Sequence, residues 1–152
     1  MKRVATTIGL IGLLAGVPAP ADEAGVARLE AARALWQATQ SGDYRYGYQK
    51  YCDCNRDEPP VTVVTVTNGE VENVYHLHGD SDREVPARDG SLDLYWTVDD
   101  LFDKLAGAYA RDAVVRAEYE PDFGYPTSLY IDYDLGVVGD ETDLRLTQFE
   151  PR

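Results

Sequence analysis

The stretch Val61-Thr62-Val63-Val64-Thr65-Val66-Thr67-Asn68-Gly69 decides the fold. A run of β-branched residues is stiff at χ1 and crowds a helix, so it favours extended backbone. Asn68-Gly69 then tolerates the left-handed conformations of a two-residue hairpin turn, the strongest short-range hairpin signal. Val71 to Leu77 supplies the returning strand. Together these residues predict an antiparallel pair from which the rest of a sheet extends.

On the N-terminal side, Tyr44, Tyr46 and Tyr48 alternate with Arg45, Gly47 and Gln49. A period of two with aromatics predicts a strand. It runs into Cys52-Asp53-Cys54 and a polar loop that closes on Pro59-Pro60. Before it, Val26, Leu29, Ala32, Leu35 and Trp36 recur at helical spacing and predict a helix over Glu23 to Gln40, with Gly42 as its stop. On the C-terminal side, His78 to Ser91 is rich in Gly, Asp, Ser and Pro and predicts a surface loop joining two halves. Thr97 caps a second helix, with Asp99 and Asp100 where the helix dipole favours negative charge. Val98, Leu101, Phe102, Leu105 and Tyr109 form its apolar stripe. Three strands follow, over Val114 to Glu120, Thr127 to Tyr133 and Leu144 to Phe149. The expected fold is α+β, in the order helix, three strands, helix, three strands. Two helices cover one face of an antiparallel sheet, and Trp36, Leu101, Phe102 and Leu105 are buried between the layers.

The first residues read as an export signal. Lys2 and Arg3 precede an uncharged apolar run from Val4 to Val17, and Ala19-Pro20-Ala21 offers a small-x-small cleavage site. The run, about 14 residues, falls short of the roughly 20 needed to span a bilayer. The reading is a signal peptide over 1–21, cleaved after Ala21, and a single α+β domain over 22–152 in the periplasm or the medium.

The chain holds 27 acidic residues against 14 basic ones, a formal net charge of −13. Loss of Lys2 and Arg3 with the signal would make it more negative still. Such a surface repels phosphate backbones and anionic lipid, which argues against a nucleic-acid partner and against a membrane once the signal is gone. The charge serves solubility outside the cytoplasm, or else the capture of a cationic partner.

Cys52 and Cys54 are the only cysteines. In a regular strand their α-carbons would lie roughly 6.6 Å apart, at the far edge of what a disulfide spans. A bridge between them therefore requires a bend, and an exported chain meets an oxidising compartment. A metal reading adds His76 and His78, a second pair at the same spacing. If the first three strands form a meander, both pairs reach one sheet edge, and a Cys₂His₂ set suits zinc or copper. Their spacing matches no zinc-finger pattern. Free or intermolecular thiols are the third possibility. Asp132, Asp134, Asp140, Glu141 and Asp143 invite a calcium reading, but Val137 stands where a calcium loop of that spacing requires glycine. A solvated hairpin loop explains them better. With only two histidines, close together, no nucleophile elbow and no Gly-rich phosphate loop, the sequence assigns no catalytic residue and no cofactor. Tyr44, Tyr46, Tyr48 and Tyr130 would make an aromatic binding surface if they lie on a sheet face that no helix covers.

Several segments in order resemble a family of small exported bacterial proteins, domain of unknown function 6174. They are Trp36 with Tyr44 and Tyr46, Cys52-Asp53-Cys54, Thr97-Val98-Asp99-Asp100-Leu101-Phe102-Asp103, and Glu118-Tyr119-Glu120-Pro121 running to Gly124-Tyr125-Pro126-Thr127. Tyr130-Ile131-Asp132-Tyr133-Asp134 with Asp140-Glu141 also fits, so the likeness covers about residues 36 to 149. The resemblance implies no activity, ligand or catalytic residue. The element order also looks like that of exported binding modules of the PepSY and β-lactamase-inhibitor type, which is an analogy of fold alone. Two functional readings result. One is a non-catalytic exported binding module whose partner is a protein or small ligand outside the cytoplasm. The other is a thiol-centred metal-binding or redox protein using Cys52 and Cys54.

Overall fold

The computed structural model describes residues 21–39, 42–51, 60–77, 84–86 and 92–152. Helix α1 spans Ala21–Thr39, and the first meander holds β1 (Tyr44–Tyr51), β2 (Thr62–Thr67) and β3 (Glu70–Leu77). A short strand β4 (Glu84–Pro86) and a 3₁₀ turn (Leu92–Leu94) lead to α2 (Val98–Tyr109). The second meander is β5 (Val114–Tyr119), β6 (Pro126–Asp132) and β7 (Thr142–Pro151). The class is α+β as expected, with two helices and one sheet. The element order differs at one point: β4 adds a strand inside the stretch read as a loop.

All seven strands join one sheet in the order β4-β3-β2-β1-β7-β6-β5, and every pair is antiparallel. Each half of the chain builds a meander, and β1 zips to β7 to fuse them. The hairpin at Asn68-Gly69 forms as its residue types demand, with φ of 53° and 80°. The Asn68 amide also donates to Asp43 Oδ1 at 2.9 Å, fixing the turn against the start of β1.

The core gathers residues of α1 and α2 with the row Tyr44, Tyr46 and Tyr48, which alternation places on one face of β1. Register puts Val66, Val64 and Thr62 beside them on β2, and Leu146 and Leu144 on β7. From α1, Trp36 meets Tyr44 edge-on at 5.1 Å and Phe149 at 5.7 Å. From α2, the Val98 amide donates to Tyr44 Oη at 2.9 Å. The stripe Val98, Leu101, Phe102, Leu105 and Ala108 is buried throughout, and Trp36 is buried with it. Arg33 of α1 pairs with Asp103 of α2 at 2.6 Å across the outside of the helix pair.

Helix α2 starts where the sequence says it should. Asp100 N donates to Thr97 Oγ1 at 3.1 Å, and Thr97 N donates back to Asp100 Oδ2 at 2.8 Å. This reciprocal box satisfies two amides that a helix terminus otherwise leaves unpaired. The turn between β5 and β6 is similarly built. Glu120 Oε2 accepts from the amides of Asp122 and Phe123, at 2.9 and 2.6 Å.

Candidate functional site

The cysteines Cys52 and Cys54 and the histidine His78 lie outside the described residues, as do residues 1–20 of the segment 1–21 read as a signal. His76 is described: it sits near the end of β3, and its Nδ1 lies 3.2 Å from Thr62 Oγ1. Register pairs Tyr48 with Thr62 and Thr62 with His76, so β1 and β3 end at the same edge of the sheet on either side of β2. This is the meander on which the Cys₂His₂ reading depends. Among the described residues, no group of three or more His, Cys, Asp and Glu side chains is arranged to hold a metal ion.

The aromatic surface proposed for Tyr44, Tyr46 and Tyr48 is corrected. All three are buried, at 2, 0 and 4% exposure. Their face of β1 meets Trp36 of α1 and Val98 of α2 beside the buried Val64 and Val66 of β2 and Leu146 of β7, while Gly47 and Gln49 lie on the other face. Desolvation pushes all three phenols above their ordinary pKa. The hydroxyls of Tyr44 and Tyr46 are used to tie the sheet to the entry of α2: Tyr44 Oη accepts from Val98 N, and Tyr46 Oη donates to the Trp96 carbonyl. Tyr130 is half-buried on the opposite face, and its hydroxyl donates to Asp132 Oδ2 at 3.1 Å. That bond holds its pKa above the ordinary value, since Asp132 favours the protonated phenol.

The acidic loop after β6 has a structural explanation of the kind expected. Asp134 Oδ1 accepts from Gly136 N at 2.9 Å, and Glu141 Oε2 accepts from Gly139 N at 2.8 Å. Leu135, Val137 and Val138 are exposed at its tip.

Among the described residues a groove runs beside α2, with a volume of about 840 Å³. One wall is the outer stripe of the helix, Asp100, Asp103 and Lys104, reaching Arg111 beyond its end. The other wall comes from the segment Leu92 to Thr97 and the start of β3 at Gly69 to Val71. The indole of Trp96 forms part of this second wall. Lys104 Nζ stands 3.8 Å from its centroid and Lys50 Nζ 5.5 Å, so the ring already interacts with ammonium groups. Several charges in the groove are committed elsewhere. Asp100 serves the helix cap and Asp103 pairs with Arg33, while the Arg111 guanidinium lies 4.6 Å from the Tyr133 ring. Glu70 and Asp93 have no cationic partner among the described residues. Leu92, which lines the groove, is exposed at 37%.

Sequence reasoning missed this groove. Trp96 precedes a helix cap with no periodic neighbour, and Glu70 and Asp93 are two carboxylates in a chain with 27. The available signal was the adjacent pair Tyr95-Trp96 immediately before Thr97. Two large aromatics at a helix entry must pack against whatever the helix does not cover.

Comparison with known proteins adds a family and no activity. The model of a family of unknown function, DUF6174, matches residues 28–151. No curated protein and no solved structure matches the chain.

Proposed function

The chain belongs to the DUF6174 family, and we propose that it is an exported, non-catalytic binding module that receives a cationic polypeptide segment along α2. The observation that carries this reading is the groove itself. It runs past Asp100, Asp103 and Lys104 on the outer face of α2, it keeps Glu70 and Asp93 unpaired among the described residues, and it offers Trp96 and the exposed Leu92 as apolar contacts. A segment with alternating basic and apolar side chains satisfies all of these at once. The net charge of −13 steers such a partner in and disfavours anionic competitors.

Tryptophan emission tests it. Trp96 lines the groove and is half-buried, whereas Trp36 is closed off in the core. Titration with a lysine- and leucine-containing peptide at low salt should shift the emission, and a glutamate-containing counterpart should not. Raising the salt should weaken the effect. Charge reversal at both Glu70→Lys and Asp93→Lys should reduce affinity at least tenfold, about 1.4 kcal/mol. A cationic peptide that leaves the emission unchanged, or that binds the reversed variant equally well, would sink the reading.

A second reading is favoured by the register of the first meander. In a thiol-centred metal or redox function for Cys52 and Cys54, His76 on β3 lies across β2 from the end of β1 that leads into the cysteines. Protein isolated without reductant should then show no free thiol, or else stoichiometric zinc or copper that is lost in the His76→Ala, His78→Ala variant. Two freely titrating thiols and no metal would end both versions.

A further inference from the structure

We propose that the sheet face opposite the buried tyrosine row carries an anion-binding site, formed by Arg116, Arg145 and Arg28, for a small ligand bearing phosphate or carboxylate groups. This site is separate from the groove beside α2 and does not depend on that reading. It begins with register. Arg116 of β5 stands opposite Tyr130 of β6, and Ser128 of β6 stands opposite Arg145 of β7. Strand spacing and rise put the two arginine α-carbons about 12 Å apart on one face. Arg116 reaches over β6 to the Tyr130 ring, and Arg145 extends toward Tyr51 of β1 on the same face. Arg28 belongs to α1, on the tyrosine-row side beside Tyr119, and joins the pocket past the edge strand β5; all three arginines line a pocket of about 350 Å³ with Ser128 and Tyr130. That volume lies within the roughly 300–1,000 Å³ of small-molecule sites.

The guanidiniums are held by rings and not by carboxylates. Arg116 lies over Tyr130 at 5.3 Å and Arg145 over Tyr51 at 4.8 Å. Stacking restrains the planar group while leaving its in-plane N–H donors available. Among the described residues none of the three arginines forms an ion pair. In a chain where acidic residues outnumber basic ones by 27 to 14, each arginine has an excess of carboxylates to choose from. Three left without one, around one concavity, repel each other unless an anion joins them. Glu118 and Asp143 line the same pocket, and Asp132 is occupied by the Tyr130 hydroxyl. With those two carboxylates the lining stays net positive, inside a molecule whose overall field excludes nonspecific anions. Ser128 supplies a neutral hydroxyl donor between the two strand arginines. Bidentate guanidinium geometry matches the oxygens of phosphate and carboxylate alike.

Calorimetric titration of the full chain, at matched ionic strength in chloride, separates the two sources. Inorganic phosphate probes a phosphoryl ligand, and citrate probes a polycarboxylate. Saturable binding of either supports the site, and the tighter one names the class. Arg116→Gln and Arg145→Gln should each weaken it roughly tenfold. Glu118→Gln should tighten it severalfold by removing a like charge. Arg152→Gln removes the same charge elsewhere and should change little. Both arginines of the strands are exposed, so the variants should fold, and circular dichroism of each checks this. If neither anion binds beyond the chloride control, or if the Arg116→Gln, Arg145→Gln double variant binds like the parent, the proposal is overturned.

Discussion

Gly124 shows how much a single residue can hold. Its φ is +86°, and a β-carbon there would sit 2.3 Å from the Ala32 carbonyl oxygen and 2.9 Å from the Trp36 amide. The turn between β5 and β6 therefore presses directly on the backbone of α1, a contact that only glycine permits. Gly124→Ala adds both backbone strain and an overlap with helix backbone, and should lower stability by about 3 kcal/mol in chemical denaturation. A change below 1 kcal/mol would mean that α1 can lift off the turn freely. The tyrosines make the complementary point about legibility. A period of two announces the strand at Tyr44, Tyr46 and Tyr48, but it is the same whichever face is covered. The choice is made by Val64, Val66, Leu144 and Leu146, whose proximity comes from register and not from sequence distance. Trp96 was illegible for a related reason, since its neighbours in the groove come from β3 and from α2.

At the scale of elements, what the chain states locally came out locally. The hairpin at Asn68-Gly69, the stripe of α2 and its Thr97 cap each depend on residues within one turn or one hairpin, and each is found where the pattern puts it. The cap can be weighed: Thr97→Ala removes the hydroxyl that accepts from Asp100 N and leaves the box half-made. It should cost about 1–2 kcal/mol, with Thr97→Ser recovering most of the loss. Equal losses for both variants would assign the effect to packing of the Thr97 methyl instead. Strand β4 was not legible because Glu84-Val85-Pro86 has neither length nor alternation. It becomes a strand by pairing with Tyr75, His76 and Leu77 at the sheet edge, where a proline lacking its amide is tolerated.

At the scale of the whole molecule, the buried phenols couple stability to alkaline pH. Tyr44, Tyr46, Tyr48 and Tyr119 are all held protonated chiefly by desolvation. Their folded pKa lies above the unfolded value near 10, so their contribution is complete below that pH and is lost as pH rises through the folded value. The melting temperature should accordingly be insensitive to these groups near neutrality and fall above about pH 10. Phenolate absorbance should appear in two steps, the exposed tyrosines first and the buried ones together with loss of near-ultraviolet dichroism. Ionisation of every tyrosine while that dichroism persists would contradict the packing described.

The pairing of β1 with β7 carries a consequence for how the chain acquires this shape. The first and last strands meet at the middle of the sheet, across nearly the whole described sequence. Each meander can form from neighbours, but their union waits for residues 142–151 to become available. Contacts of such separation make the final association slow, and a chain still emerging from its point of synthesis cannot complete it. Until then Leu144, Leu146 and the tyrosine row stay open to water or to a holding partner. A polypeptide with this layout cannot lock itself shut until its last strand is free to pair.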